Sequence, residues 1–212
     1  DKRLWYYDSV DPRVQLPYWQ ENKVWTWLVT GSSGSQSINF IAKNILPNSE
    51  VKSFVRLISN AANIQPSAHK NGVSLNSATF QDTLTYNYRE TVNLISKFPS
   101  SLLKEGSNVF RIFGMPTKAS FQQSLVDWVD IEYFRKNVAE NDSILITIPD
   151  EIAKAVRAIK IENIKDDAAN ILVYRISPSF KKFENIIQNK SKNEIVFVDS
   201  VDGGNKYLVV NK

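Results

Sequence analysis

The chain has no cysteine at all and a single histidine among its 212 residues, and both scarcities remove chemistry. Without a thiol there is no cysteine nucleophile, no thiolate zinc site and no iron–sulfur cluster within this sequence. The redox compartment stays open, because disulfides mark oxidising compartments whereas their absence marks nothing. Any histidine-based triad, metal site or proton relay would have to rest on His69 alone, which sits in the loop-like stretch QPSAHKNG. A structural or merely exposed histidine is expected there. No apolar run reaches the ~20 residues of a membrane-spanning helix. The opening DKRLWYYD has neither an initiator Met nor the apolar core of a signal peptide, so it reads as a processed or excised piece of something longer. Repeats of fixed period and low-complexity tracts are also missing, and helix signals are few.

What is present has a globular composition: 42% hydrophobic, 11% aromatic and 23% charged residues, far from the low-hydrophobicity regime of disorder. The 26 basic and 22 acidic residues leave +4, but the lysines are scattered between strand-like runs. No basic patch interleaved with exposed aromatics forms, so nucleic acid is not an expected partner. A chain of this length can bury a sizeable core as one elaborated domain with a small extension.

The pattern is that of strands. In LVDWVDIEYFRKNV (125–138), Val129, Ile131 and Tyr133 alternate with Asp130 and Glu132. That period of two predicts one buried and one wet face of an antiparallel sheet. Before it, an aromatic arm with Trp5, Tyr6, Tyr7, Tyr18 and Trp19 runs to about residue 23. VWTWLV, the small-residue connection GSSGSQS, and strands at 38–42, 53–59, 72–75 and 84–95 follow. Leucines, a short helical turn and a Gly turn precede a strand ending near Ile112. After the organising strand come SILITI, AVRAIKI, NILVYRI and EIVFVDS. VDGGN between EIVFVDS and KYLVVNK predicts a hairpin. Helical spacing is offered only near 120–125 and by FKKFENIIQ (180–188). The expected fold is all-β, a jelly-roll-like antiparallel sandwich over 24–177, with the arm 1–23 and a linker and hairpin over 178–212.

Candidate sites are sparse. Asp127, Asp130 and Glu132 cluster as glycosidase carboxylates would, but Asp130 and Glu132 share the wet face. Asp199 and Asp202 beside Gly203 and Gly204, or Asp166 and Asp167, offer oxygen ligands to calcium, against the ordinary reading of Asp in turns. No other cofactor is expected. Trp25 and Trp27, two apart on one strand face, suit a core or a sugar-stacking platform. GSSGS lacks the helix start and the Lys of a phosphate loop.

The order of pieces carries a resemblance: His69 followed by GVSLNS, then LLKEGSNVFRI, the Asp127–Tyr133 strand, NILVYRISPS and FVDSVDGGNKYLVV. Together they resemble the β-sandwich region that precedes the catalytic domain of gingipain-type cysteine peptidases, PorU-like sortases of type IX secretion included. Departures are Ser77, where the family often has Gly after the Asn, and Arg175, where it has Asp. The resemblance implies an accessory domain without catalytic residues of its own, extracytoplasmic, at the cell surface or in the periplasm of a bacterium. Its implied partners are a downstream peptidase domain of the same chain and client proteins; a carbohydrate-binding module that takes glycans is the alternative. In that reading Phe197 and Tyr207 of the terminal hairpin, with Trp25 and Trp27, are the candidate interface residues.

Overall fold

In the computed structural model the described residues are 5–7, 24–26, 28–61, 68–87, 90–118 and 122–212. The fold is all-β, and the chain divides into two compact units, Asp1–Arg135 and Lys136–Lys212. No helix is long and apolar enough to cross a membrane, among the described residues.

In the first unit, β1 (Trp5–Tyr7) pairs with β2 (Val24–Thr26) in a two-stranded ribbon. One four-stranded sheet runs in the order β3 (Leu28–Thr30), β10 (Gln122–Tyr133), β5 (Glu50–Ala61), β8 (Thr91–Pro99). The other runs β4 (Ser35–Ala42), β9 (Gly106–Gly114), β6 (His69–Leu75), β7 (Asp82–Tyr86). All pairs are antiparallel, and each strand sends alternate residues into a common core of Val51, Val55, Leu57, Val73, Leu75, Phe110 and Ile112. This is the packing that a period of two dictates for two facing sheets.

The organising strand behaves as its alternation predicts. Val129, Ile131 and Tyr133 pack on the core, and Asp130 and Glu132 are exposed. A bulge between Val126 and Trp128 resets the register, so Val126 and Val129 both face inward although three residues apart. Gly114 closes β9 where the Gly31 carbonyl crosses it; a Cβ there would fall 1.9 Å from that oxygen. Most turns that need positive φ use asparagine instead: Asn44, Asn48, Asn76, Asn141, Asn163 and Asn193, the residue that tolerates this region best after glycine.

The second unit has two sheets of its own. One is β11 (Ile144–Thr147), β17 (Lys206–Asn211), β13 (Ile171–Ser177), β14 (Lys181–Phe183); the other is β12 (Ala155–Glu162), β16 (Glu194–Val201), β15 (Ile187–Asn189). Between them lie Ile146, Ile161, Ile164, Val173, Ile195, Phe197, Tyr207 and Val209.

Several expectations are corrected. EIVFVDS and KYLVVNK do not form a hairpin: β16 pairs with β12 and β15, and β17 with β11 and β13. The glycine turn carries the chain across the core from one sheet to the other, because local patterning reports a reversal but not the sheet that receives the next strand. The boundary at 177 likewise falls inside a sheet, since β13 is held by β17. Of the sandwich expected over 24–177, the residues after Arg135 belong to the second unit, and Val173 is core there. The run 84–95 is two strands in different sheets, broken where the Glu90 carboxylate accepts from the Asn87 N–H and side-chain amide at 2.9 and 3.0 Å. FKKFENIIQ is not helical. Its Phe183 ends β14 and its Ile186 immediately precedes β15; the two strands belong to opposite sheets, and both side chains pack on one core. The helical spacing near 120–125 gives way to β10, with 119–121 outside the described residues.

Candidate functional site

His69 is not a loop residue: it opens β6 and is fully buried. Its ring stacks on Tyr86, its cross-strand partner, with centroids 5.1 Å apart and planes at 16°. Tyr86 begins a polar network through the first core. Its hydroxyl donates to Ser124 Oγ at 2.7 Å and lies 2.8 Å from Asn71 Oδ1, to which the Ser124 hydroxyl donates at 2.7 Å. Asn71 Nδ2 donates to Thr30 Oγ1 at 2.8 Å and the Phe113 carbonyl at 3.0 Å. Asn71 and Tyr86 come from one sheet, Thr30 and Ser124 from the other, so the network ties the two sheets together. Burial pushes the Tyr86 phenol up against the opposing pull of Ser124, and it remains a neutral donor.

Neither ring nitrogen of His69 has a hydrogen-bond partner among the described residues, and the buried Ser59 Oγ has none either. Among the described residues no serine hydroxyl is bonded to the imidazole. Burial lowers the His69 pKa. The folded state therefore takes up this proton less readily than the unfolded chain, whose histidine titrates near ~6.5. Stability is fully present above that value and falls as pH drops from it toward the lowered folded pKa, by at most ~1.4 kcal/mol per pH unit. Urea midpoints at pH 7.5 and 5.5 should differ, and His69→Phe, which keeps the stack, should shrink the difference. An unchanged difference in the variant would assign it to other groups.

Two of the pieces that carry the resemblance, GVSLNS and LLKEGSNVFRI, meet at one point. Asn76 Nδ2 donates to Asn108 Oδ1 and to the Leu102 carbonyl, both at 2.7 Å, and Asn76 Oδ1 accepts from the Val109 N–H at 2.8 Å. Asn108 accepts from the Lys104 N–H and donates to the Lys104 and Gly106 carbonyls, each at 2.8 Å. These residues clamp two turns and serve the fold. Ser77 needs no glycine here, because the positive φ falls on Asn76, and the Ser77 carbonyl accepts from Arg111 at 2.7 Å.

In the second unit, Asp199 is almost fully buried and spent on cations. Arg175 and Lys181 each approach it at 2.9 Å, and the Tyr207 hydroxyl donates at 3.1 Å. Arg175, a departure from the family pattern, is thus the partner of Asp199. Burial pushes this carboxyl up, but the hydrogen bonds of Lys181 and Tyr207 and the charges of Arg175 and Lys181 outweigh it and hold it below the usual range. Asp202 accepts from the Gly203 N–H in its own turn at 2.9 Å. Asp167 takes Lys190 at 2.6 Å, and Asp166 accepts from Asp167 N and from the amides of Asn170 and Asn211. Among the described residues no three His, Asp or Glu gather as a metal site would require.

Phe197 and Tyr207, expected at an interface, are 1% and 0% exposed and pack on each other and on Phe183 inside the second core. They offer no docking surface. Trp25 lies in β2, but its side chain, like all of Trp27, lies outside the described residues. Asp127 pairs with Arg56 at 3.4 Å.

What sequence reading missed is the outer face of the sheet β11-β17-β13-β14. Leu145, Leu208 and Tyr174 are register partners across three strands, with Leu172 and Val210 paired in the next row. Leu145 is 59% exposed, and Phe180, 72% exposed, stacks on Tyr174 at 5.3 Å. The signal lay in NILVYRI and KYLVVNK, apolar on both faces where a solvated strand would alternate.

No protein-family model matches the chain, and no curated protein does. Among solved structures it is similar to dimeric latent PorU from Porphyromonas gingivalis, with a TM-score of 0.63 and 11% identity. The match covers 85% of this chain and 18% of that one, so the chain spans less than a fifth of the protein it resembles. The likeness extends to the fold: the chain has the all-β architecture of a portion of PorU.

Proposed function

We propose that this chain is a non-catalytic accessory β-sandwich segment of a larger gingipain-like peptidase or PorU-like sortase, packing against and positioning the catalytic domain or its protein clients. Its place would be extracytoplasmic, in a bacterium. The observation that carries this reading is the apolar outer face built by Leu145, Leu172, Tyr174, Phe180, Leu208 and Val210. Contiguous exposed apolar surface on a folded domain marks an interaction site. The fold shared with part of a chain more than four times as long, and the absence of cysteine, support the accessory role.

Radical footprinting tests it. In a longer polypeptide that joins this chain to its catalytic domain, Leu145 and Phe180 are expected to be modified several-fold less than in the isolated chain. Equal modification in both would remove this face from any such contact. The stack of exposed Phe180 on half-buried Tyr174 also fits the alternative, a glycan-binding module. A saturable hit on a glycan array that is lost in Phe180→Ala would favour that reading, and neither peptidase nor glycosidase turnover is expected from the isolated chain.

A further inference from the structure

The edges of the sheets are guarded unequally. Among the described residues the four larger sheets have eight outer strands, of which β3, β11, β14 and β15 have three or four residues. The longer ones carry charge: Asp82 on β7, Lys97 and a closing Pro99 on β8, Arg157, Lys160 and Glu162 on β12. These are the devices that keep edges from pairing with other chains. β4 is the exception: SQSINFIA, eight residues, has no charge, no proline and an unbroken register with β9.

Its main-chain groups can be assigned. The Gly114 N–H donates to the Gly34 carbonyl at 3.1 Å, which makes Gly34 and Gly114 a hydrogen-bonded pair of the β4–β9 ladder. Alternation then directs the groups of Gln36, Ile38, Phe40 and Ala42 to β9, and those of Ser35, Ser37, Asn39 and Ile41 to the open edge. Two further bonds agree. The N–H of Lys43, the next odd residue, turns away from β9 to the Tyr133 hydroxyl at 3.1 Å. On the other strand, Val109, opposite Asn39, directs its N–H and carbonyl to Asn76. Ser35, Ser37, Asn39 and Ile41 are all exposed, Ile41 at 69%.

We propose that this edge pairs with the same edge of a second copy, β4 antiparallel to β4 about a two-fold axis at Asn39. That register places Asn39 opposite Asn39, Ser37 opposite Ile41 and Ile38 opposite Phe40. Core-facing residues stay with core-facing ones, and about six main-chain hydrogen bonds form. The second copy is the fitting occupant because the strand is complementary to itself. Being uncharged, it brings no like charges together across the axis, and its open donors and acceptors mirror each other. The isologous contact consumes the edge and closes as a dimer without propagating to fibres.

Sedimentation equilibrium on the 212-residue chain tests this, together with hydrogen exchange at high and low protein concentration. Wild type is expected to be a dimer whose Ser37, Asn39 and Ile41 amides gain protection with concentration. Ser37→Lys with Ile41→Lys sets lysine against lysine and should raise the dissociation constant ~100-fold. Ser37→Glu with Ile41→Lys sets opposite charges together and should restore dimerisation. Asn39→Pro, which deletes one outward N–H and no bond to β9, should weaken it as well. A monomeric wild type with concentration-independent exchange overturns the proposal. So does equal dimerisation of the lysine pair and the Glu/Lys pair, or a dimer in which these amides are unprotected.

Discussion

Asn108→Ala is expected to destabilise the first unit by about 3–5 kcal/mol, a large effect for one polar side chain. The side chain is fully buried and makes four hydrogen bonds, to Asn76 Nδ2, the Lys104 N–H and the Lys104 and Gly106 carbonyls. Alanine returns none of these groups to water, and each buried group left unpaired costs about 1–3 kcal/mol. Asn108→Asp should be no gentler, because it keeps the acceptor while turning a carboxylate oxygen toward two carbonyls. Asn76→Ala should cost less, about 2 kcal/mol, since part of its loss is relieved at the turn surface. Urea denaturation measures all three, and a loss under ~1 kcal/mol for Asn108→Ala would show that the turn re-forms its bonds without the clamp.

Asp199→Ala should destabilise the second unit by ~3 kcal/mol or more, because it leaves the Arg175 guanidinium and the Tyr207 hydroxyl facing a site from which their acceptor has gone. Lys181→Ala should cost no more than ~1 kcal/mol: its side chain is nearly half exposed and water screens the pair. The pH signature separates this carboxylate from the rest of the core. Its folded pKa is held below the ordinary value, so the stabilisation is complete above the unfolded pKa of ~3.8 and is lost as pH falls through the folded pKa. The wild type should therefore lose more stability between pH 5 and 2.5 than Asp199→Ala does. Matching losses would mean that the pair contributes nothing net to folding.

Phe197 and Tyr207 show how little a strand pattern says about contacts. Both were legible as one apolar face of neighbouring strands, and both are core, yet the surface they serve is inside the second unit. For His69 the surrounding GlnProSer and LysAsnGly stretches hid that it begins an interior strand of its sheet. Asn76 and Asn108 stood in two of the pieces that carry the resemblance, but their contact was not legible, since 32 residues separate them.

By itself the sequence determined the all-β class, most strand positions and the inward faces of β9 and β10. These depend on a period of two and on β-branched and aromatic content, properties of a few consecutive residues. It also excluded thiol chemistry, which is a matter of counting. Only the tertiary structure decided which strands pair, that VDGGN crosses between sheets, that the chain divides at Arg135, and that FKKFENIIQ is two strands. It alone placed the apolar outer face and the open edge of β4, because pairing joins residues far apart in the chain, and no local pattern records which main-chain groups remain without a neighbour.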